Sequence, residues 1–226
     1  MILFFTCKKY DLISLVRKKS LSYKSLKDYQ NKFCFALDTV DEKCLNKLIQ
    51  EFKIRMKNKS EIFLIGNGGS AANAHHIAGD FTKTFAVMGN NLRITCLSDN
   101  ECYITAAAND YGYSEIYELL IENRISKGDL LILFSGSGNS MNLVKAAQKA
   151  KKANIKLAAI LGYNGGALKN LIDIPIHTRI DDMEIAEDCQ MAIFHYIKQK
   201  LVDICDTKYT NESNKYQKRI NEDLIA

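Results

Sequence analysis

The sequence predicts an α/β protein: a five-stranded parallel sheet flanked by helices, preceded by N-terminal helices. Three observations predict it. From residue 61 onward, short apolar runs alternate with longer amphipathic stretches, the pattern of repeated strand–helix units. The runs are apolar at successive positions rather than at alternate ones, as strands buried on both faces require. Two of the runs end directly in glycine- and serine-rich turns, at the carboxyl ends of strands where open α/β sheets bind ligands.

Taken in order, residues 1–23 read as a basic arm, residues 24–204 as one domain, and residues 205–226 as a polar tail. The arm accounts for the charge. The chain holds 31 basic and 26 acidic residues, a net charge of +5. Lys8, Lys9, Arg17, Lys18, Lys19, Lys24 and Lys27 fall in the first thirty residues against only Asp11 and Asp28. The remaining 196 residues therefore balance, with 24 charges of each sign. A domain without net positive charge offers no field for nucleic acid, and none is expected as a partner. The opening Met-Ile-Leu-Phe-Phe is too short for a signal-peptide core and has its basic residues after it, not before. No run approaches the roughly 18 apolar residues of a membrane span. The seven cysteines are scattered, odd in number and free of Cys-x-x-Cys pairs, which argues against a disulfide framework. A cytoplasmic protein is expected.

Residues 24–57 have helical periodicity, with Phe33, Phe35, Ala36, Leu37, Val40, Leu45, Leu48, Ile49 and Phe52 between charged positions. Strands are expected at Glu61–Ile65, Leu92–Leu97, Asp129–Phe134, Lys156–Leu161 and Ile172–His177. Pro175 marks the last as an edge strand, because proline cannot donate to a ladder. Helices are expected near 70–85, 101–124, 140–153, 164–171 and 182–204.

The first strand runs into Gly66-Asn67-Gly68-Gly69-Ser70 and the third into Ser135-Gly136-Ser137-Gly138-Asn139-Ser140. Glycines let backbone N–H groups approach a ligand, a following helix start favours an anion, and serine hydroxyls add donors. The plainer reading makes these simple connections, with Ser70 and Ser140 as N-caps. Neither loop is a dinucleotide fingerprint or a Walker loop, since the final glycine of the one and the Gly-Lys-Ser/Thr of the other are missing. Serines without a lysine suit a sugar phosphate better than a triphosphate.

Of four histidines, His76 stands four residues before Asp80, so the two share a helix face. His195 closes a helix whose first half carries Glu184, Glu187 and Asp188. At about 100° per residue, Glu184 and Asp188 fall within about 20° of His195, whereas Glu187 is about 80° away and about 12 Å along the axis. Glu187 and His195 of one chain therefore cannot easily ligate one ion; if both serve one site, one of them crosses a subunit interface. The plainer readings are a core histidine and a solvated acidic helix start. His75 and His177 have no sequence partner and read as ordinary residues.

Together, Gly66-Asn67-Gly68-Gly69-Ser70, Asn109-Asp110, Ser135-Gly136-Ser137-Gly138-Asn139-Ser140 and the acidic helix ending in His195 resemble the sugar isomerase (SIS) domain. Within it, the match is to the phosphoheptose isomerase group, over roughly residues 30–204. The resemblance implies an SIS-type sandwich whose N-terminal helices pack a homotetramer. It implies isomerisation of sedoheptulose 7-phosphate to D-glycero-D-manno-heptose 7-phosphate, toward lipopolysaccharide or capsule, with one zinc per site. Carried over by position, Asn67, Gly68, Gly69, Ser70, Asn109 and Asp110 contact the phosphorylated sugar, as does Glu187. Ser135, Gly136, Ser137 and Ser140 form the phosphate loop. His76, Asp80, Glu187 and His195 are the implied zinc ligands, and His195 and Asp80 the implied catalytic pair. This chain departs from the pattern at Asp80 (commonly Glu), at Glu187 (commonly Gln), at Gly136 (often Thr) and at Thr84 (commonly Arg). The alternatives are a non-catalytic phosphosugar-binding or protein-interaction module, and an isomerase for another ketose phosphate.

Overall fold

The computed structural model describes residues 23–90 and 92–205. Of the expected basic arm at 1–23 and polar tail at 205–226, residues 1–22 and 206–226 lie outside the described residues. The N-terminal pair is α1 (Leu26–Asp38) and α2 (Glu42–Asn58). There follow β1 (Glu61–Gly66), α3 (Gly68–Val87), β2 (Arg93–Cys96), α4 (Glu101–Tyr111), α5 (Glu118–Arg124), β3 (Leu130–Ser135), α6 (Met141–Lys152), β4 (Lys156–Leu161), β5 (Ile174–His177) and α7 (Met183–Ile204). The five strands form one sheet in the order β2-β1-β3-β4-β5, and every pairing is parallel.

The helix boundaries follow from local chemistry. The Ser25 hydroxyl accepts from the N–H of Asp28 at the start of α1, Asp41 from Lys43 at the start of α2, and Asp182 from Ile185 at the start of α7. Each satisfies a backbone donor that the first helical turn leaves unpaired. Two expected helices are corrected. The stretch 101–124 is not continuous: Gly112 at φ 92° ends α4, a 3-10 turn occupies Tyr113–Glu115, and α5 follows. The stretch 164–171 holds only a 3-10 turn at Leu168–Asn170, because Gly165 and Gly166 both lie at positive φ.

Strand alternation divides the core in two. Ile62, Leu64, Leu130, Ile132, Phe134, Ala158 and Ile160 face one side, packed with residues of α1, α2, α3 and α7. Phe63, Ile65, Leu131, Leu133, Leu157, Ala159 and Leu161 face the other, against α4, α5 and α6. On the first side Phe194 is fully buried, with ring centroids 5.0 Å from Phe134, 6.0 Å from Phe81 and 6.3 Å from Phe52. This aromatic cluster ties α7 to α3, α2 and the sheet. The N-terminal end of α7 is clasped from the start of the described chain: Tyr23, just before α1, donates its hydroxyl proton to Asp182, and Tyr29 of α1 donates to Asp188 at 2.5 Å. Edge strand β5 carries Pro175, as a donor-less residue demands. No helix among the described residues is long and apolar enough to cross a membrane.

Candidate active site

Because β1 and β3 are parallel neighbours, both glycine-rich loops emerge at the same edge of the sheet. The first loop opens α3 at Gly68, with Asn67 as N-cap. The Asn67 side chain does not cap the helix. Instead it exchanges hydrogen bonds with Asn142 at 2.8 and 2.9 Å and accepts one from the Tyr113 hydroxyl at 2.9 Å. Tyr117, buried beneath, donates to the Gly66 carbonyl at 2.5 Å. A cavity of about 280 Å³ lies here, lined in part by Asn67, Gly68, Ser98, Thr105 and Tyr113.

At Gly69 a Cβ would stand 2.1 Å from Glu187 Oε2. The carboxylate of α7 thus lies directly over the loop, and a side chain at Gly69 would displace it. Burial pushes the Glu187 carboxyl up, the charges of Glu184 and Asp188 add to that, and hydrogen bonds from the Ser70 backbone and hydroxyl oppose it. Ser70 is buried, and its hydroxyl accepts from Gln190 Nε2 at 3.0 Å. Asn73 donates to the Glu187 carbonyl and to Gln190 Oε1, both at 2.9 Å. Ser70 therefore joins α3 to α7, a tertiary role that its position in the loop motif does not reveal.

The second loop is shaped by its own hydroxyls. Ser135 Oγ accepts from the Gly138 N–H at 3.0 Å, and Ser137 Oγ from the Asn139 N–H at 3.2 Å. Gly138 sits at φ 69°, and a Cβ there would meet the Gly165 carbonyl at 2.0 Å. A Cβ on Gly136 would meet Met183 Sδ at 2.3 Å. Ser140 is the N-cap residue of α6 but makes no capping bond with its side chain. Beside the loop is a cavity of about 500 Å³ lined by Ser137, Asn139, Tyr163, Asn164 and Asp181. Asn109 and Asp110 are exposed in the last turn of α4 and hydrogen-bonded to each other at 2.9 Å.

The packing of α3 on α7 assembles a third feature. His76, Asp80 and His195 each bring a ligand atom within 4.8 Å of those of the other two. The two imidazole rings meet edge-on, centroids 5.7 Å apart. Two imidazoles and one carboxylate with an open side form a donor set that suits a catalytic zinc ion, so the residues fit one. Glu187 is not in this group; two turns earlier on α7, it faces Gly69, as the helix spacing requires. Asp80 also receives an ion pair from Lys198 of α7. Sequence reasoning missed Lys198, although it stands three residues after His195 and so one turn along the same face. It also missed Asn142, Tyr113 and Gln190, which reach the loops only through the fold. His75 turns away, its Nε2 lying 3.2 Å from the Ser98 hydroxyl.

Residues 28–162 match the family model of the SIS domain. The phosphoheptose isomerase of Aliarcobacter butzleri is 33% identical over 181 residues, 80% of this chain and 95% of that protein. That of a Nitratiruptor species is 40% identical over 142 residues, 63% of this chain and 76% of that protein. Among solved structures, the phosphoheptose isomerase of Neisseria gonorrhoeae superposes with a TM-score of 0.72 at 21% identity, covering 79% of this chain and 97% of that one. The phosphoheptose isomerase of Francisella tularensis does so with a TM-score of 0.69 at 25% identity, covering 81% and 97%.

Proposed function

The chain belongs to the SIS domain family, and from that premise we propose that it is an aldose–ketose isomerase converting sedoheptulose 7-phosphate to D-glycero-D-manno-heptose 7-phosphate. The observation that carries this reading is one of placement. Two glycine/serine loops open at the same sheet edge, and α3, which begins in the first of them, carries two members of the His76–Asp80–His195 cluster. The names of the curated relatives point to the substrate class, a phosphorylated heptose.

The phosphate end of the sugar would sit on Ser135, Gly136, Ser137 and Ser140, where hydroxyls and the start of α6 supply donors. Asn67, Gly68 and Gly69 with Asn109 and Asp110 would line the sugar, and Glu187 would offer a carboxyl over Gly69. Fixing the phosphate positions the reacting carbons, so remote binding energy serves the chemical step. Isomerisation moves a proton from C1 to C2 through an enediol. His195 would take the C1 proton and, after exchange with solvent, deliver one to C2, and Asp80 would exchange the hydroxyl proton. Zinc, which His76, Asp80 and His195 would hold with Glu187 of a second copy, would polarise the carbonyl when bound.

Base and ligand are alternative duties for His195, and the His195→Ala variant separates them. It is expected to lose turnover of sedoheptulose 7-phosphate at least 10³-fold while the sugar phosphate still raises its melting temperature. Retained zinc in that variant assigns the base; loss of zinc and turnover together assigns the ligand. Full turnover by the variant would contradict the whole reading.

The assembly would be a cytoplasmic homotetramer built through α1 and α2. Leu26, Phe35 and Ile54 on these helices are exposed, apolar positions that a second copy would cover. A particle mass of four times 25.6 kDa in light scattering is the expected result.

A further inference from the structure

We infer that Lys198 is a tethered cation that occupies Asp80 in competition with a divalent metal ion, so that this side chain sets how tightly the site holds metal. The inference rests on the reading of His76, Asp80 and His195 as a cation site and adds a residue that the reading does not contain. Asp80 is the only carboxylate in the three-residue cluster. Its Oδ2 is already engaged by the Lys198 ammonium, and the two side chains are 23% and 22% exposed. The pair is therefore partly withdrawn from water, where charge interactions exceed those of a surface pair.

The geometry makes the competition direct. Lys198 follows His195 by three residues on α7, about 60° around the helix and about 4.5 Å along it. Its ammonium thus reaches the same carboxylate that the cluster offers to a metal. A carboxylate shared with an ammonium donates less charge to a metal ion, and an ammonium left beside a divalent cation repels it. Loading the site therefore favours withdrawal of Lys198. Its four-carbon stem permits this, since the head can move outward to water while the methylenes stay packed. The ammonium engages only Oδ2 of Asp80, so metal at the cluster and the Lys198–Asp80 pair oppose each other through charge. The antagonism works in both directions, since tight metal binding loosens the ammonium and removal of the ammonium tightens metal binding.

The test is titration of the full-length metal-free protein with Zn²⁺ against a chromophoric chelator. Lys198→Met is expected to bind Zn²⁺ at least about tenfold more tightly than the wild type. Lys198→Arg, which retains the cation, is expected to stay within about threefold of it. A second readout needs no substitution: acylation of Lys198 in the wild type, followed by mass spectrometry, is expected to rise severalfold when Zn²⁺ is added. Equal or weaker Zn²⁺ binding by Lys198→Met overturns the inference, and so does labelling of Lys198 that Zn²⁺ leaves unchanged. The way it fails is informative. A measurable but identical constant removes only the competing cation, whereas absence of binding in both proteins also removes the metal site on which the inference rests.

Discussion

The imidazole of His177, at the end of β5, accounts for one property that belongs to a single residue. Its Nε2 lies 3.0 Å from the Tyr163 carbonyl, and its Nδ1 is buried without a partner. Burial lowers its pKa below the ordinary value, and the charges of Lys169 and Arg179 lower it further. The folded state thus binds this proton less readily than the unfolded chain, where an imidazole titrates near about 6.5. The stabilisation is complete above that pH and is lost as pH falls through and below it. Denaturant unfolding at pH 7.5 and 5.5 is expected to show a smaller loss for His177→Gln than for the wild type. An equal loss in both would place the acid sensitivity elsewhere. At this scale the sequence was partly legible. The His76–Asp80 face follows from a spacing of four. The role of His177, read as an ordinary residue, depends on the Tyr163 turn that the chain brings against it. The overhang of Glu187 on Gly69 needs two helices to be packed before it can be seen.

Among the elements, α7 does the most to build the site. It carries Glu187 and His195 on different sides, and its Phe194 is locked among Phe52, Phe81 and Phe134. Phe194→Ala would leave a cavity between helix and sheet, at a cost of about 3–5 kcal/mol. Equilibrium denaturation measures this, and a loss below about 1 kcal/mol would contradict the packing described. All five strands were legible, because each is a short apolar run with no competing helical length. Their ends shifted by one or two residues: β2 is Arg93–Cys96 rather than Leu92–Leu97, and β5 begins at Ile174 rather than Ile172. The helices were less legible where glycine intervened. Gly112 divides the expected helix at 101–124, and Gly165 with Gly166 replaces the expected helix at 164–171 by a loop. That loop then packs its backbone against Gly138 of the serine loop, a contact that periodicity cannot report.

For the whole molecule, the parallel order β2-β1-β3-β4-β5 brings the two glycine/serine loops side by side. The packing of α3 on α7 then adds the His76–Asp80–His195 cluster. The loops were legible as anion-binding candidates from composition alone. Their adjacency was not, since it depends on β1 pairing with β3 across the intervening β2 unit. The central claim is that this edge of the sheet performs an enediol isomerisation. The most direct measurement is a proton NMR time course on sedoheptulose 7-phosphate in deuterated water, with and without added zinc, beside an Asp80→Asn/His195→Ala double variant. The account predicts a new aldose phosphate carrying solvent deuterium at C2, formed by the wild type and absent with the double variant. A wild-type protein that is stabilised by the sugar phosphate yet produces neither exchange nor aldose would contradict it.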